Sequence, residues 1–219
     1  MSLSKLKKIN NIIFDFDGTI INSNHIKEDG FINVYKGYSS DIKTKILNFH
    51  KSNMGMNRFD KFKFINEKIL GKNYSQTAGE IMSEQYFKYI YKKIKSTNLI
   101  KGAKDFLSKN YLKYNFFLCS VTLQNDLVKI VTMKGLNKYF IKIKGGPQKK
   151  IDAIKEIIFE NKLPVDTFLS IGDSYSDLEF SKKLGLSFIG VKSPGSYPFD
   201  KNILTIEDFF ELEKYLWRF

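Results

Sequence analysis

A chain of 219 residues with 42% hydrophobic and 27% charged side chains has material for one core and a smaller appendage, which excludes a disordered or fibrous polypeptide. One cysteine rules out an internal disulfide, and no signal-peptide pattern or run of about 20 apolar residues is present, so a cytoplasmic protein without a membrane partner is expected. The net charge of +13 is almost all lysine, with arginine only at Arg58 and Arg218; a nucleic-acid reader relies on bidentate arginine, so nucleic acid is set aside as the main partner.

The elements run as follows. Asn11-Ile12-Ile13-Phe14 is a short apolar run of the kind that forms a strand buried on both faces. From Ser23 to about Asn98 the apolar residues recur at helical spacing, with breaks at Gly37–Ser40, Ser52–Asn57 and Gly71–Asn73. Asn57 and Ser75 fit as helix N-caps, and Phe59, Phe62 and Tyr86 read as the core of a small helical domain. After Gly102 helices and strands alternate. Helices are expected over 103–113, 126–134, 150–161, 176–184 and 207–216. Strands are expected over 116–119, 139–143, 168–171 and 187–191, with an edge strand over 204–206. Such alternation implies a parallel sheet with helical crossovers. The fold class is therefore α/β, with a parallel-sheet core over 1–21 and 99–219 and an inserted all-α domain over 22–98.

In an open parallel sheet, ligands sit outside the carboxyl ends of the strands. The first strand ends in Asp15-Phe16-Asp17-Gly18-Thr19, two carboxylates on one side of an extended chain. Buried together they repel, unless a cation sits between them; hard carboxylate oxygens suit Mg²⁺. The second strand ends at Ser120, followed by Val121 and Thr122, where a hydroxyl and backbone N–H groups can hold a phosphate oxygen. The third leads to Lys149 and Lys150 at a helix start, of which Lys150 is favoured as the charge facing the site. The fourth leads into Gly172-Asp173, with Asp177 four residues on. These parts fit phosphoryl transfer. A metal on Asp15, Asp17 and Asp173 neutralises phosphate charge, and Asp15 attacks phosphorus. Gly18, Thr19, Ser120, Val121 and Lys150 hold the phosphate, Asp17 moves protons to and from oxygen, and Asp177 supports the metal through a water.

The ordered set Asp15-x-Asp17-Gly18-Thr19, Ser120, Lys150 and Gly172-Asp173-x3-Asp177 resembles the haloacid dehalogenase superfamily of phosphohydrolases, over residues 11 to about 191. The resemblance implies a Rossmann-like core, Mg²⁺ dependence, Asp15 as nucleophile and Asp17 as general acid/base. The helical stretch after the first motif is similar to the α-helical cap of the phosphoglycolate phosphatase and β-phosphoglucomutase subgroup. Asp17 departs from the dehalogenase branch, which has a single Asp there, and argues for phosphate chemistry. Val121 departs from the Gly or Asn that many relatives carry.

The function expected is a Mg²⁺-dependent phosphatase acting on a small phosphorylated metabolite, as a monomer or weak dimer. The alternative is a phosphomutase of the β-phosphoglucomutase type; a non-catalytic or nucleic-acid-binding protein is the reading from another class. Substrate recognition is assigned to polar residues of the helical domain: Lys27, His50 and Arg58, with Asn57 and Lys61 as further candidates. The bland reading of these is a solvated helix face and an ordinary surface histidine.

Overall fold

The computed structural model describes residues 8–217, so the outermost ends of the expected core, including Arg218, lie outside the described residues. β1 (Asn11–Phe14) is flanked on both sides, pairing in parallel with β2 (Asn115–Leu123) and β4 (Phe168–Gly172). β3 (Lys142–Gly146) pairs with β2, β5 (Ser187–Val191) with β4, and the two-residue β6 (Thr205–Ile206) closes the far edge. The six-stranded order is β3-β2-β1-β4-β5-β6, all parallel, so the chain reverses its direction of winding between β1 and β4. Clefts at such reversals, beyond the carboxyl ends of the strands, receive ligands.

Strand alternation divides the core into two layers. Ile12, Phe14, Phe116, Leu118, Leu169 and Ile171 face one way, with Phe106 and Phe209 packed over them. Ile13, Phe117, Cys119 and Phe168 face the other way, against Ala153, Ile154 and Ile157. Phe14 meets the rings of Phe116 at 5.2 Å, Phe209 at 6.1 Å and Phe106 at 6.4 Å. Burial of such a side chain stabilises by roughly 1.5–3 kcal/mol, which anchors the end of β1 where the carboxylates begin. Cys119 is buried in this layer, as a strand-core residue should be, and burial pushes its thiol up to about 12.

Helices α1 (Asn24–Val34), α2 (Ser40–Ser52), α3 (Arg58–Phe64) and α4 (Gln76–Ile94) lie between β1 and the rest of the sheet in sequence. α3 continues as a π-helical turn over Ile65–Ile69, which no sequence pattern signals. Asn57 caps α3 by accepting from the N–H groups of Phe59 and Asp60, and Ser75 caps α4 through Ala78. α1 and α4 cross closely at Gly30, where a Cβ would stand 2.6 Å from Ile90. Phe31, Phe62 and Tyr86 form the buried aromatic centre, while Phe59 is half-buried at its edge. The chain leaves and re-enters the sheet side by side: Ile21 bridges Leu99, Asn22 N–H donates to Asn98 O, and Ile100 N–H to Ile20 O.

The remaining helices are α5 (Ala103–Asn110), α6 (Gln124–Met133), α7 (Lys150–Asn161), α8 (Tyr175–Leu184) and α9 (Phe209–Trp217). Two expectations are corrected. The strand expected over 139–143 begins later, because Asn137–Tyr139 forms a 3₁₀ turn and β3 runs on through Gly145 and Gly146. There β3 lies so close to the β2–α6 turn that a Cβ on Gly145 would sit 2.6 Å from Thr122 O, so glycine here permits pairing rather than ending it. β2 likewise extends past Ser120 to Leu123, but its register with β3 shifts between Cys119 and Leu123. That irregularity frees the backbone around Ser120–Thr122 from the ladder.

Candidate active site

Four strand ends deliver the expected residues to one cavity. It is lined on the sheet side by Asp15, Asp17, Ser120, Val121, Lys150, Asp173 and Asp177, and on the helical side by Lys27, His50, Arg58 and Lys61. Lys149 is exposed at the N-cap of α7, whereas Lys150, in its first turn, is buried and points inward. Lys150 Nζ donates to Asp15 Oδ1 and to Asp177 Oδ1, both at 2.5 Å. Asp177 is fixed in turn by a capping box with Ser174, whose hydroxyl donates back to Asp177 Oδ2.

Asp15, Asp173 and Asp177 are all buried, and one oxygen from each lies within 4.8 Å of the others. Asn24 Nδ2 orients Asp173 by donating to its Oδ2 at 2.7 Å. Gly18, at φ +75°, lets the backbone pass so near that a Cβ would stand 1.9 Å from Asp173 Oδ2. Burial pushes Asp15 up to about 7 against the pull of Lys150, and Asp177 and Asp17 add to the rise. Burial first, then Asp15 and Asp177, also raise Asp173. Lys150 goes the other way: burial works to lower it, but Asp15 and Asp177 hold it above its ordinary value. A lone ammonium among these carboxylates leaves negative charge in excess. The buried, all-oxygen donor set therefore fits a hard divalent cation.

Asp17 stands apart from that cluster. Its Oδ1 accepts from Ser23 Oγ at 2.6 Å, and its Oδ2 from Thr122 Oγ1 at 2.8 Å and Lys27 Nζ at 3.0 Å. Burial works to raise its carboxyl, yet Lys27 and the hydroxyls hold it below the usual range. The expected ligand set Asp15, Asp17 and Asp173 thus differs from the carboxylates the fold gathers, which are Asp15, Asp173 and Asp177. Ser120 lies on the cavity wall and its Oγ accepts from the Thr122 N–H at 3.1 Å. Gly18 and Thr19 are buried and do not line the cavity, and Thr19 Oγ1 has no hydrogen-bond partner among the described residues.

The helical residues depart from the bland reading. His50 is buried against Phe31, with ring centroids 4.6 Å apart, and its Nδ1 lies 3.0 Å from Lys61 Nζ. Arg58 spans to the sheet side, with Nη2 2.5 Å from Asp126 Oδ2, and donates through Nε to Ser83 Oγ at 2.8 Å. Sequence reasoning missed Ser23 and Asn24, which position Asp17 and Asp173. Their signal was present: two short polar residues at the start of the helix that follows the first motif.

The family model for haloacid dehalogenase-like hydrolases matches residues 12–191. The chain belongs to that family. With the family goes the class of enzyme, a hydrolase of the haloacid dehalogenase type. The fold is shared with a predicted phosphoglycolate phosphatase from Haemophilus somnus (TM-score 0.74, 18% identity, 94% of this chain and 97% of that one). It is shared also with a predicted phosphatase from Clostridium acetobutylicum (TM-score 0.74, 21% identity, 96% and 99%). CbbY from Rhodobacter sphaeroides, solved with phosphate, superposes at TM-score 0.75 with 14% identity over 93% and 96%. No curated protein matches the chain by sequence. No described helix is long and apolar enough to cross a membrane.

Proposed function

We propose that this chain is a Mg²⁺-dependent phosphatase that hydrolyses a small phosphorylated metabolite through an aspartyl-phosphate on Asp15. In this reading residues 22–98 act as a cap over a core of residues 1–21 and 99–219, which fits the paired crossing of the chain at Ile21 and Leu99. The observation that carries the proposal is Asp15 itself: a carboxylate only 8% exposed, lining a cavity at the sheet's reversal between Lys150 and Asp173. The similar CbbY structures with phosphate and, in a variant, with xylulose 1,5-bisphosphate support phosphate chemistry on this fold. A similar structure from Bacillus subtilis, YfnB, is bound to magnesium.

Asp15 and Asp173, with Asp177 beside them, would hold Mg²⁺, which neutralises phosphate charge and favours in-line attack. A carboxylate oxygen of Asp15 forms a bond to phosphorus as the bond to the leaving oxygen breaks. Lys150 and Ser120 stabilise the phosphoryl oxygens. Asp17 gives its proton to the leaving oxygen, then takes one from the water that attacks the aspartyl-phosphate, releasing phosphate and restoring Asp15. The partners of Asp17 favour its ionised form, the one needed for the second half. A substrate that draws Lys27 off Asp17 weakens that bias, leaving only the Ser23 and Thr122 hydroxyls to oppose burial, and so moves Asp17 toward the protonated form needed for the first.

The test is phosphate release from p-nitrophenyl phosphate and a panel of phosphorylated metabolites, with Mg²⁺ or EDTA, for wild type and Asp15→Asn. Release that needs the metal and disappears in the variant supports the proposal; unchanged turnover by a folded Asp15→Asn protein sinks it. Transfer of the phosphoryl group to a sugar phosphate instead of water would turn the reading to a mutase.

A further inference from the structure

The cavity is lined by Lys27, Lys51, Arg58, Lys61 and Lys150, and all but Lys61 have a carboxylate within ion-pair distance. Lys61 is 3% exposed, yet no carboxylate pairs with it among the described residues. Among the described residues its hydrogen-bond partners are on His50 alone, at 3.0 Å from Nδ1 and 3.5 Å from the carbonyl oxygen, and the ring of Phe31 lies 5.6 Å away. An ammonium carries three donors, so one remains for a ligand. With Nδ1 accepting from Lys61, the His50 ring carries its proton on Nε2, for which no protein acceptor is present among the described residues. Burying an uncompensated charge costs several kcal/mol, about what makes a buried cation a poor choice for packing alone. Lys27 stands near enough to act on both Lys61 and Asp17, linking this corner to the reacting end.

We propose that Lys61, His50 and Lys27 form an anion-binding subsite for the leaving group, so that the substrate is a phosphomonoester carrying a second anionic group, a carboxylate or another phosphate. This rests on the reading that the Asp15 end receives the transferred phosphoryl group. Charge-assisted hydrogen bonds from Lys61 and a neutral donor from His50 match either oxyanion. Glu28, the carboxylate on the helical wall, is committed to Lys51 at 3.1 Å and does not compete.

A matched two-carbon series tests it: ethyl phosphate, 2-phosphoglycolate and 1,2-ethanediol bisphosphate, titrated by calorimetry into Mg²⁺-loaded Asp15→Asn protein. At least one charged ester should bind about tenfold or more tighter than ethyl phosphate, and which one gains assigns carboxylate or phosphate. Equal affinity across the series overturns the subsite, and that comparison needs no change at Lys61. Adding Lys61→Met or Lys61→Gln should shrink the preference to under about threefold. A preference that survives both would also overturn it. Phosphate release by the wild-type protein is measured in parallel: no release from any ester, with the preference intact, would sink the phosphatase reading and leave the subsite standing.

Discussion

Arg58 of α3, on the cavity wall, and Asp126 of α6 meet at 2.5 Å, tying the helices that follow β1 to a helix of the sheet, with each side chain only 10% exposed. The contact is ionic rather than an aligned hydrogen bond, since Asp126 Oδ2 has no partner of hydrogen-bond geometry among the described residues. Arg58 is braced on its own side by Ser83 and by the ring of Tyr86, 5.4 Å from its guanidinium carbon. The charge expected to read substrate is therefore already engaged, as a clasp between the two parts.

If Arg58 works as that clasp, Asp126→Ala and Arg58→Ala should have the same effect on kcat/KM, and the double variant little more than either. Stability should fall by about 2–3 kcal/mol in each single variant, because the remaining charge is left partly buried. Denaturant melts of the four proteins give the coupling directly. A loss of activity of more than about tenfold in Arg58→Ala with none in Asp126→Ala would return Arg58 to substrate contact.

Gly18→Ala should inactivate the enzyme without unfolding it. The new methyl meets Asp173 Oδ2 at 1.9 Å and Asn24 Nδ2 at 2.4 Å, and the positive φ adds strain. Backbone strain of this type costs on the order of 1–3 kcal/mol, while displacing Asp173 dismantles the carboxylate cluster. The measurement is Mg²⁺-dependent phosphate release beside a thermal melt. Retained activity would show that Asp173 tolerates movement.

Mg²⁺ should stabilise the protein. At about 100 times its dissociation constant a ligand of the folded state adds roughly 2.7 kcal/mol, and a melt with and without EDTA reads the rise in Tm. Asp173→Asn should abolish most of that rise and should itself melt no lower than metal-free wild type, because it removes one of the mutually repelling carboxylates. An undiminished Mg²⁺ effect in Asp173→Asn would place the ion elsewhere.

What the sequence makes legible follows from range. The β1 run, the capping residues Asn57 and Ser75, and the glycine-aspartate turn after β4 act within a few residues, and each lies where local reasoning sets it. The strand-end rule then gathers Asp15, Ser120, Lys150 and Asp173 without knowledge of any contact. The helical side of the cavity obeys no such rule. Whether Lys61 faces solvent or the interior depends on how α3 lies against α1 and α2, and only that packing turns a lysine of apparent surface type into a buried cation on His50. The same holds for Asp126, an ordinary first-turn acid in sequence, whose partner Arg58 lies on α3, more than 60 residues earlier in the chain.

That buried lysine sets a pH dependence of defined sign. Burial, with the charge of Lys27 on α1 added, brings Lys61 down to about 7, and His50 on α2, also lowered by burial and by its lysine neighbours, faces it. In the unfolded chain a lysine titrates near ~10.4. Between about pH 7 and that value the unfolded chain binds a proton that the folded one does not, so stability from this group rises with pH across the window and is lowest below it. Lys61→Met should therefore raise stability at neutral pH and flatten the slope above it, as denaturant melts from pH 6 to pH 9, roughly spanning the lower part of that window, would read. An anionic ligand reverses the balance by favouring the charged ammonium. Binding of a dianionic ester above neutral pH should then take up protons, which calorimetry in buffers of different ionisation enthalpy detects. The uptake should vanish in Lys61→Met; uptake that persists there would assign the proton to another group of the cavity.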